Sequence, residues 1–274
     1  MARIGLCMLM LASAEDPLAE RYIPAVRQAG YDYAEISLSK LYGLEEGALW
    51  AYRDAFGRAG LPTEAFNDGM PPFLCVLGDK SAEAAWQAYI DRAVQLAKFF
   101  GVSTITTSAP HSYNAQPGVV WEKGGKQQYA AFLRRFSQAC APEGITIAIE
   151  PICRREKGFV NRIAQALELI GLVGADNLKL VPDLFHMRME GEDASCLPAL
   201  VRDGRIAHLH YSDAEERGFP CSARKALYLN ELQPVLDAGF AGRISVEAVP
   251  KHPLADIASA FDAISFCKAK KGCG

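Results

Sequence analysis

Residues 3–14 read Arg-Ile-Gly-Leu-Cys-Met-Leu-Met-Leu-Ala-Ser-Ala, and this stretch chooses between two folds. Its first half, Arg3–Met8, has the length and apolar character of a buried strand. Similar runs recur down the chain, each followed by a helical stretch of roughly 10 to 20 residues. Strands are expected at Arg3–Met8, Tyr31–Ser37, Pro62–Phe66, Ser103–Thr107, Ile145–Glu150, Leu178–Asp183, Ile206–Tyr211 and Arg243–Glu247. Helices fall between them, among them Pro17–Ala29, Glu45–Ala59, Ala82–Phe100, Gln127–Ala141, Val160–Val173 and Asn230–Ala238. Several stop just before a glycine (Gly30, Gly60, Gly101, Gly174, Gly239), where a left-handed cap is wanted. Eight such alternations either close into a barrel or lie flat as a doubly wound sheet. A nucleotide-binding doubly wound sheet needs a glycine-rich turn after its first strand. The residues after Met8 contain no GxGxxG pattern, and no GxxxxGK[ST] occurs anywhere. The expected fold is therefore α/β, a single (β/α)8 TIM barrel, with residues 1–274 as one domain; 274 residues suits a fold that runs to about 250.

The same segment has a rival reading. Arg3 precedes an apolar run from Ile4 to Ala12, and Ala12-Ser13-Ala14 resembles a signal-peptidase site. The strand reading is preferred because the count of eight needs it. No apolar stretch reaches the ~20 residues that span a bilayer, so no membrane association is expected. Half of the residues are hydrophobic and 22% are charged, which is globular composition. With 29 basic and 32 acidic residues the net charge is −3, so no global positive field draws the chain to nucleic acid. Eight cysteines occur without a CxxC pair, and they read as reduced thiols of a cytoplasmic protein.

Chemistry in a barrel collects at the C-terminal ends of the strands. The last four strands end there in polar residues: Ile145-Thr-Ile-Ala-Ile-Glu150, Leu178-Lys-Leu-Val-Pro-Asp183 with His186 three residues on, Ile206-Ala-His-Leu-His210, and Arg243-Ile-Ser-Val-Glu247. Around one axis these put three carboxylates and an imidazole side by side. Such carboxylates repel, and a proton or a divalent cation relieves the repulsion. Three oxygens and one nitrogen suit Mn²⁺, with Mg²⁺ or Co²⁺ as alternatives, better than a thiophilic ion. Taken singly, each of these four residues is better explained as a solvated loop residue or a helix cap. Their joint occurrence on consecutive strands favours a metal site.

At these residues the chain resembles the xylose-isomerase-like sugar isomerase and epimerase superfamily, particularly the D-tagatose and D-psicose (allulose) 3-epimerases. The pieces that carry the likeness are Glu150-Pro-x4-Glu156 with Gly158-Phe-x-Asn161, Asp183-x-x-His186-Met187, His208-x-His210 followed by Arg217, Val246-Glu247, and Tyr33-Ala-Glu35-Ile-Ser37. The resemblance implies that Glu150, Asp183, His210 and Glu247 bind the metal, and that Glu156, His186 and Arg217 contact the sugar. It implies a ketose substrate, with Glu150 and Glu247 as the acid/base pair of an enediolate mechanism. His208 is expected to support the ligands from behind. Glu156 within Arg154-Arg155-Glu156-Lys157, His186 as a packed loop residue and Arg217 beside Glu215 and Glu216 each also admit a purely structural reading.

Two features depart from the family pattern. Arg217 stands seven rather than six residues past His210, and Arg217-Gly-Phe-Pro220-Cys-Ser-Ala-Arg224 replaces a Pro-Gly-x-Gly loop. The loops Asn67-Asp-Gly-Met-Pro-Pro-Phe73 and Ser108-Ala-Pro-His-Ser-Tyr-Asn114, expected to line the mouth, also differ from those of a free-ketose epimerase. A lyase of the same framework, of the inosose or dehydroshikimate dehydratase or C-glycoside deglycosidase kind, is the nearest rival. An endonuclease IV-like repair enzyme is remote, since it requires a basic face and many histidines, and the chain has five. A small carbohydrate is the expected partner, and the resemblance implies a homo-oligomer, a dimer or a tetramer, whose number the sequence does not fix.

Overall fold

A computed structural model describes residues 1–78, 82–108, 114, 115, 119–214 and 216–268. The eight expected strands are present in order: β1 (Arg3–Cys7), β2 (Tyr33–Ser37), β3 (Thr63–Asn67), β4 (Thr104–Ser108), β5 (Thr146–Glu150), β6 (Leu178–Leu180), β7 (His208–Tyr211) and β8 (Arg243–Val246). The helices are α1 (Ile23–Ala29), α2 (Leu38–Tyr42), α3 (Glu46–Ala59), α4 (Ala82–Phe100), α5 (Gly125–Cys140), α6 (Ile163–Val173), α7 (Leu184–Met189), α8 (Leu197–Arg202), α9 (Lys225–Asp237) and α10 (Pro253–Ile264). All neighbouring strands pair in parallel, and β1 is hydrogen-bonded to both β2 and β8, so the apolar run at Arg3–Cys7 is a central stave. Helices outside and side chains inside cover both faces of the sheet, giving a (β/α)8 barrel.

The barrel closes between β6 and β7 through two bridges, Leu180 with Ile206 and Asp183 with His210. Proline at 182 has no N–H for the ladder, and the pairing offset slips by one residue between those bridges. The slip ends β6 earlier than the sequence pattern suggests and sets Asp183 opposite His210. The expected helix Pro17–Ala29 also breaks up. Asp16 Oδ1 and Oδ2 accept from the N–H groups of Glu20 and Arg21 at 2.9 and 3.2 Å, capping a 3-10 turn, and α1 begins only at Ile23.

Inside the barrel the side chains form layers. Tyr33, His208 and Ser245 make a polar layer below the mouth, with Tyr33 Oη 3.0 Å and His208 Nε2 3.1 Å from Ser245 Oγ. Gly5 makes room for it: a Cβ there would lie 2.2 Å from the Tyr33 ring. One residue pair further along the strands, Glu35 and His210 begin the layer at the mouth.

Candidate metal centre

Glu150 ends β5, Asp183 caps the N-terminus of α7, His210 lies on β7, and Glu247 directly follows β8. All four are buried, and their ligand atoms lie within 4.8 Å of one another. His210 Nδ1 is 2.7 Å from Glu150 Oε1 and 2.9 Å from Glu247 Oε2. Asp183 divides its two oxygens: Oδ1 accepts from the Phe185 N–H at 2.7 Å, which starts α7, and Oδ2 faces the cluster.

The far side of the imidazole is fixed by a residue outside the expected ligand set. Glu35, fully buried on β2, has Oε1 3.1 Å from His210 Nε2 and Oε2 3.4 Å from His208 Nε2. A carboxylate on Nε2 holds the ring proton there and leaves the Nδ1 lone pair aimed at Glu150 and Glu247. Three electron-rich atoms at such distances need a cation or a proton between them. This arrangement, a carboxylate behind a histidine whose other nitrogen faces a clustered acid set, fits a divalent ion with mostly oxygen ligands. Glu35 does not end its strand, so the pattern of polar strand ends misses it. Its one signal in the sequence is a charged residue in the middle of a buried strand, Tyr33-Ala-Glu35-Ile-Ser37.

The fields of these groups divide the acids. Burial pushes Glu35 up, but His210 and His208 outweigh it and hold the carboxyl well below the usual range. Burial raises Glu150, His210 opposes, and the neighbouring Glu247 adds to the rise, so Glu150 is the acid that keeps a proton most readily. For Glu247 the burial penalty is overcome by His210 and Arg217, and its carboxyl is held low. Burial lowers His210, yet Glu35, Glu150 and Glu247 together raise it well above its ordinary value.

The three residues assigned to sugar contacts lie at the rim of this cluster. Arg217 Nη2 is 3.0 Å from Asp183 Oδ2 and 2.9 Å from Glu247 Oε2, and its Nη1 is 3.4 Å from both oxygens of Glu156. The extra residue before Arg217 does not carry it away from the site, because Glu216 and Arg217 both adopt left-handed backbone (φ 53°). The Arg217 carbonyl also accepts from the Val249 N–H at 2.8 Å. Strained non-glycine residues of this kind cluster where geometry matters more than local stability. His186 Nε2 is 3.6 Å from Asp183 Oδ2 and 3.9 Å from Glu156 Oε2. Burial lowers the His186 ring, but Asp183 and the Cys153 side chain raise it to about 9. Cys7 meets the same cluster from β1, with Sγ 3.7 Å from Glu247 Oε1 and 2.9 Å from Asn67 Nδ2. Of the two mouth loops, residues 109–113 lie outside the described residues. In the other, Asp68 takes left-handed backbone and accepts from Ser37 Oγ at 2.9 Å.

The Gly158-Phe-x-Asn161 motif has a structural explanation. A Cβ at Gly158 would stand 2.3 Å from the Ile152 carbonyl oxygen, and Asn161 Nδ2 donates to Ile152 O at 2.8 Å and Gly158 O at 2.6 Å. These contacts fold the loop after β5 tightly enough to return Glu156 to the mouth.

The family model for the xylose isomerase-like TIM barrel matches residues 23–268. An L-ribulose 3-epimerase of Mesorhizobium japonicum is 29% identical over 226 residues, covering 80% of this chain and 72% of its own length. A probable ketose 3-epimerase of Synechocystis is 27% identical over 196 residues, or 70% of this chain and 66% of its own. In fold, a D-psicose 3-epimerase of Clostridium cellulolyticum solved with D-tagatose superposes with a TM-score of 0.79, covering 97% of this chain and 98% of that one at 16% identity.

Proposed function

The chain belongs to the xylose isomerase-like TIM barrel family as a sugar epimerase or isomerase, and from that premise we propose that it is a divalent-cation-dependent ketose 3-epimerase. The observation that carries the reading is the convergence of Glu150, Asp183, His210 and Glu247, with Glu35 fixing the imidazole from behind. These four would hold Mn²⁺, or Mg²⁺ or Co²⁺ in its place. A bound ion supplies Lewis-acid polarisation of a carbonyl and its neighbouring hydroxyl, which acidifies the C–H between them.

The chain's own residues then do the proton work. With a divalent ion held by the four residues Glu150 would be ionised, and it would then take the proton from carbon on one face. Glu247, which follows β8 three staves round the barrel from β5, would return a proton on the other face. Inversion at carbon needs one proton-transferring carboxyl on each side of it, one to accept and one to donate. Arg217 and His186 orient and neutralise the sugar oxygens, and Glu156, half-exposed at the rim, accepts from a hydroxyl. Burial of the acid set excludes bulk water from the deprotonated carbon.

The test is a chelator-stripped protein reloaded with Mn²⁺ and offered ketoses, inososes and 3-keto-glycosides in D₂O. Epimer formation with deuterium at the reacting carbon, and without loss of water or aglycone, is the expected result. A dehydrated product or a freed aglycone transfers the reading to the lyases of the same framework. Full turnover in the stripped protein refutes the role given to the cation.

A further inference from the structure

A second group of donors lies beside the four-residue cluster and differs from it in chemistry. Cys153 follows β5 and precedes the 3-10 turn Arg154–Glu156, while His186 comes from α7. One ligand atom from each of Cys153, Glu156 and His186 lies within 4.8 Å of the others. Cys153 and His186 are buried, whereas the Glu156 side chain is 37% exposed, so the group opens to solvent through the glutamate. The Cys153 N–H points at His186 Nδ1, 3.4 Å away, and the Nε2 edge of the ring faces Asp183 and Glu156. Burial would raise the Cys153 thiol, but hydrogen bonds to His186 and the Glu156 backbone outweigh it and lower the thiol below its ordinary value.

Sulfur, imidazole nitrogen and one carboxylate form the donor set of a tetrahedral thiophilic ion with one position left open. The neighbouring set of three carboxylates and an imidazole prefers a harder cation. We propose that Cys153, Glu156 and His186 form a second cation site, selective for divalent ions of the Zn²⁺ class and distinct from the Glu150–Asp183–His210–Glu247 centre. As the metal–sulfur bond forms, the thiol proton leaves to solvent, and no oxidation state changes. An ion there takes up the Glu156 carboxylate and the His186 ring, so Zn²⁺ inhibits. That consequence, unlike the site itself, rests on the reading in which those two residues hold the sugar.

The experiment is a Co²⁺ titration of the metal-free full chain, followed by absorption spectroscopy. Two bound equivalents are expected, one of them with a thiolate-to-cobalt charge-transfer band. Cys153→Ser loses the band and that equivalent and keeps the other. Cys7→Ser keeps the band, which separates the site from the sulfur beside Glu247. A band that survives in Cys153→Ser, or no band in the parent protein, overturns the proposal. Should Cys153→Ser fail to fold, X-ray absorption at the zinc edge on the Cys7→Ser protein decides: a sulfur at about 2.3 Å supports the site, and a shell of nitrogen and oxygen alone refutes it. Zn²⁺ should inhibit the Mn²⁺-loaded protein and spare Cys153→Ser. If the band behaves as expected while Zn²⁺ leaves turnover untouched, the site stands and the assignment of Glu156 and His186 to the sugar falls.

Discussion

Glu35 has no exposure to solvent, yet it stays charged because two histidines of one strand reach its two oxygens. Its work is done through His210, whose Nδ1 it frees for the cluster. Glu35→Gln should therefore weaken Mn²⁺ binding by about 10- to 100-fold, measured by calorimetry, while the barrel's far-ultraviolet circular dichroism is unchanged. Glu150→Gln keeps the fold and abolishes turnover; full activity in that variant would remove the proposed base. Arg217 bridges Asp183 and Glu247 where a divalent ion would draw the same oxygens, so the guanidinium and the ion compete. Arg217→Met is expected to bind Mn²⁺ more tightly than the parent in the absence of sugar and to have a raised KM. An unchanged metal affinity would count against the competition. Most of these residues were legible as polar ends of apolar strands. The bridging contact of Arg217 was not, because a loop residue's reach depends on backbone angles that no local pattern in this sequence announces.

At the scale of elements, the loops decide more than the strands. The run after β5 is held by Gly158 against the Ile152 carbonyl and by Asn161 across its neck, so its shape delivers both Glu156 and Cys153. Gly158→Ala forces that loop outward at a cost of about 1 to 3 kcal/mol. The expected outcome is a raised KM for sugar with Mn²⁺ affinity retained, because Glu150 sits on the strand and not on the loop; equal loss of both would show that the strand end moves too. The seam between β6 and β7 has the same character. The apolar pattern runs through to Asp183, whereas the strand ends at Leu180 because Pro182 cannot donate to the ladder. Existence and order of the strands follow from their apolar runs, but the slip that places Asp183 opposite His210 is set by pairing across the seam.

Across the whole molecule the two barrel ends have different duties. At the N-terminal end Glu64 holds Arg3 and also Arg243, with Arg243 Nε 2.8 Å from its Oε2, far along the strands from the cluster. Glu64→Ala leaves two guanidinium groups facing each other and should cost about 1 kcal/mol, since the group is partly exposed, with kcat unchanged. Thermal melting and turnover of one preparation test both halves. The metal-free protein should also lose stability in mild alkali. His186 moves from 6.5 to about 9 on folding, so the folded chain holds more protons than the unfolded one in that interval. Its contribution is complete below about 6.5 and fades as the pH rises toward 9. Glu35, depressed on folding, adds stability that fades only in acid. A melting temperature of chelated protein that climbed from pH 6.5 to 9 would contradict the His186 environment.

By itself the chain determined eight strands, their alternation with helices, a first turn without the GxGxxG pattern, and four polar strand ends that could only converge if the sheet closed. Those are local properties: apolar runs, glycine caps and spacing act over a few residues and survive in one dimension. Only the closed barrel decided which atoms meet. Glu35 reaches a histidine 175 residues away, Arg217 lands on the carboxylates of Asp183 and Glu247, and Cys153 comes beside His186. Such contacts arise from register, backbone handedness and the direction of each side chain across the barrel, which are properties of packing and not of any short run of residues.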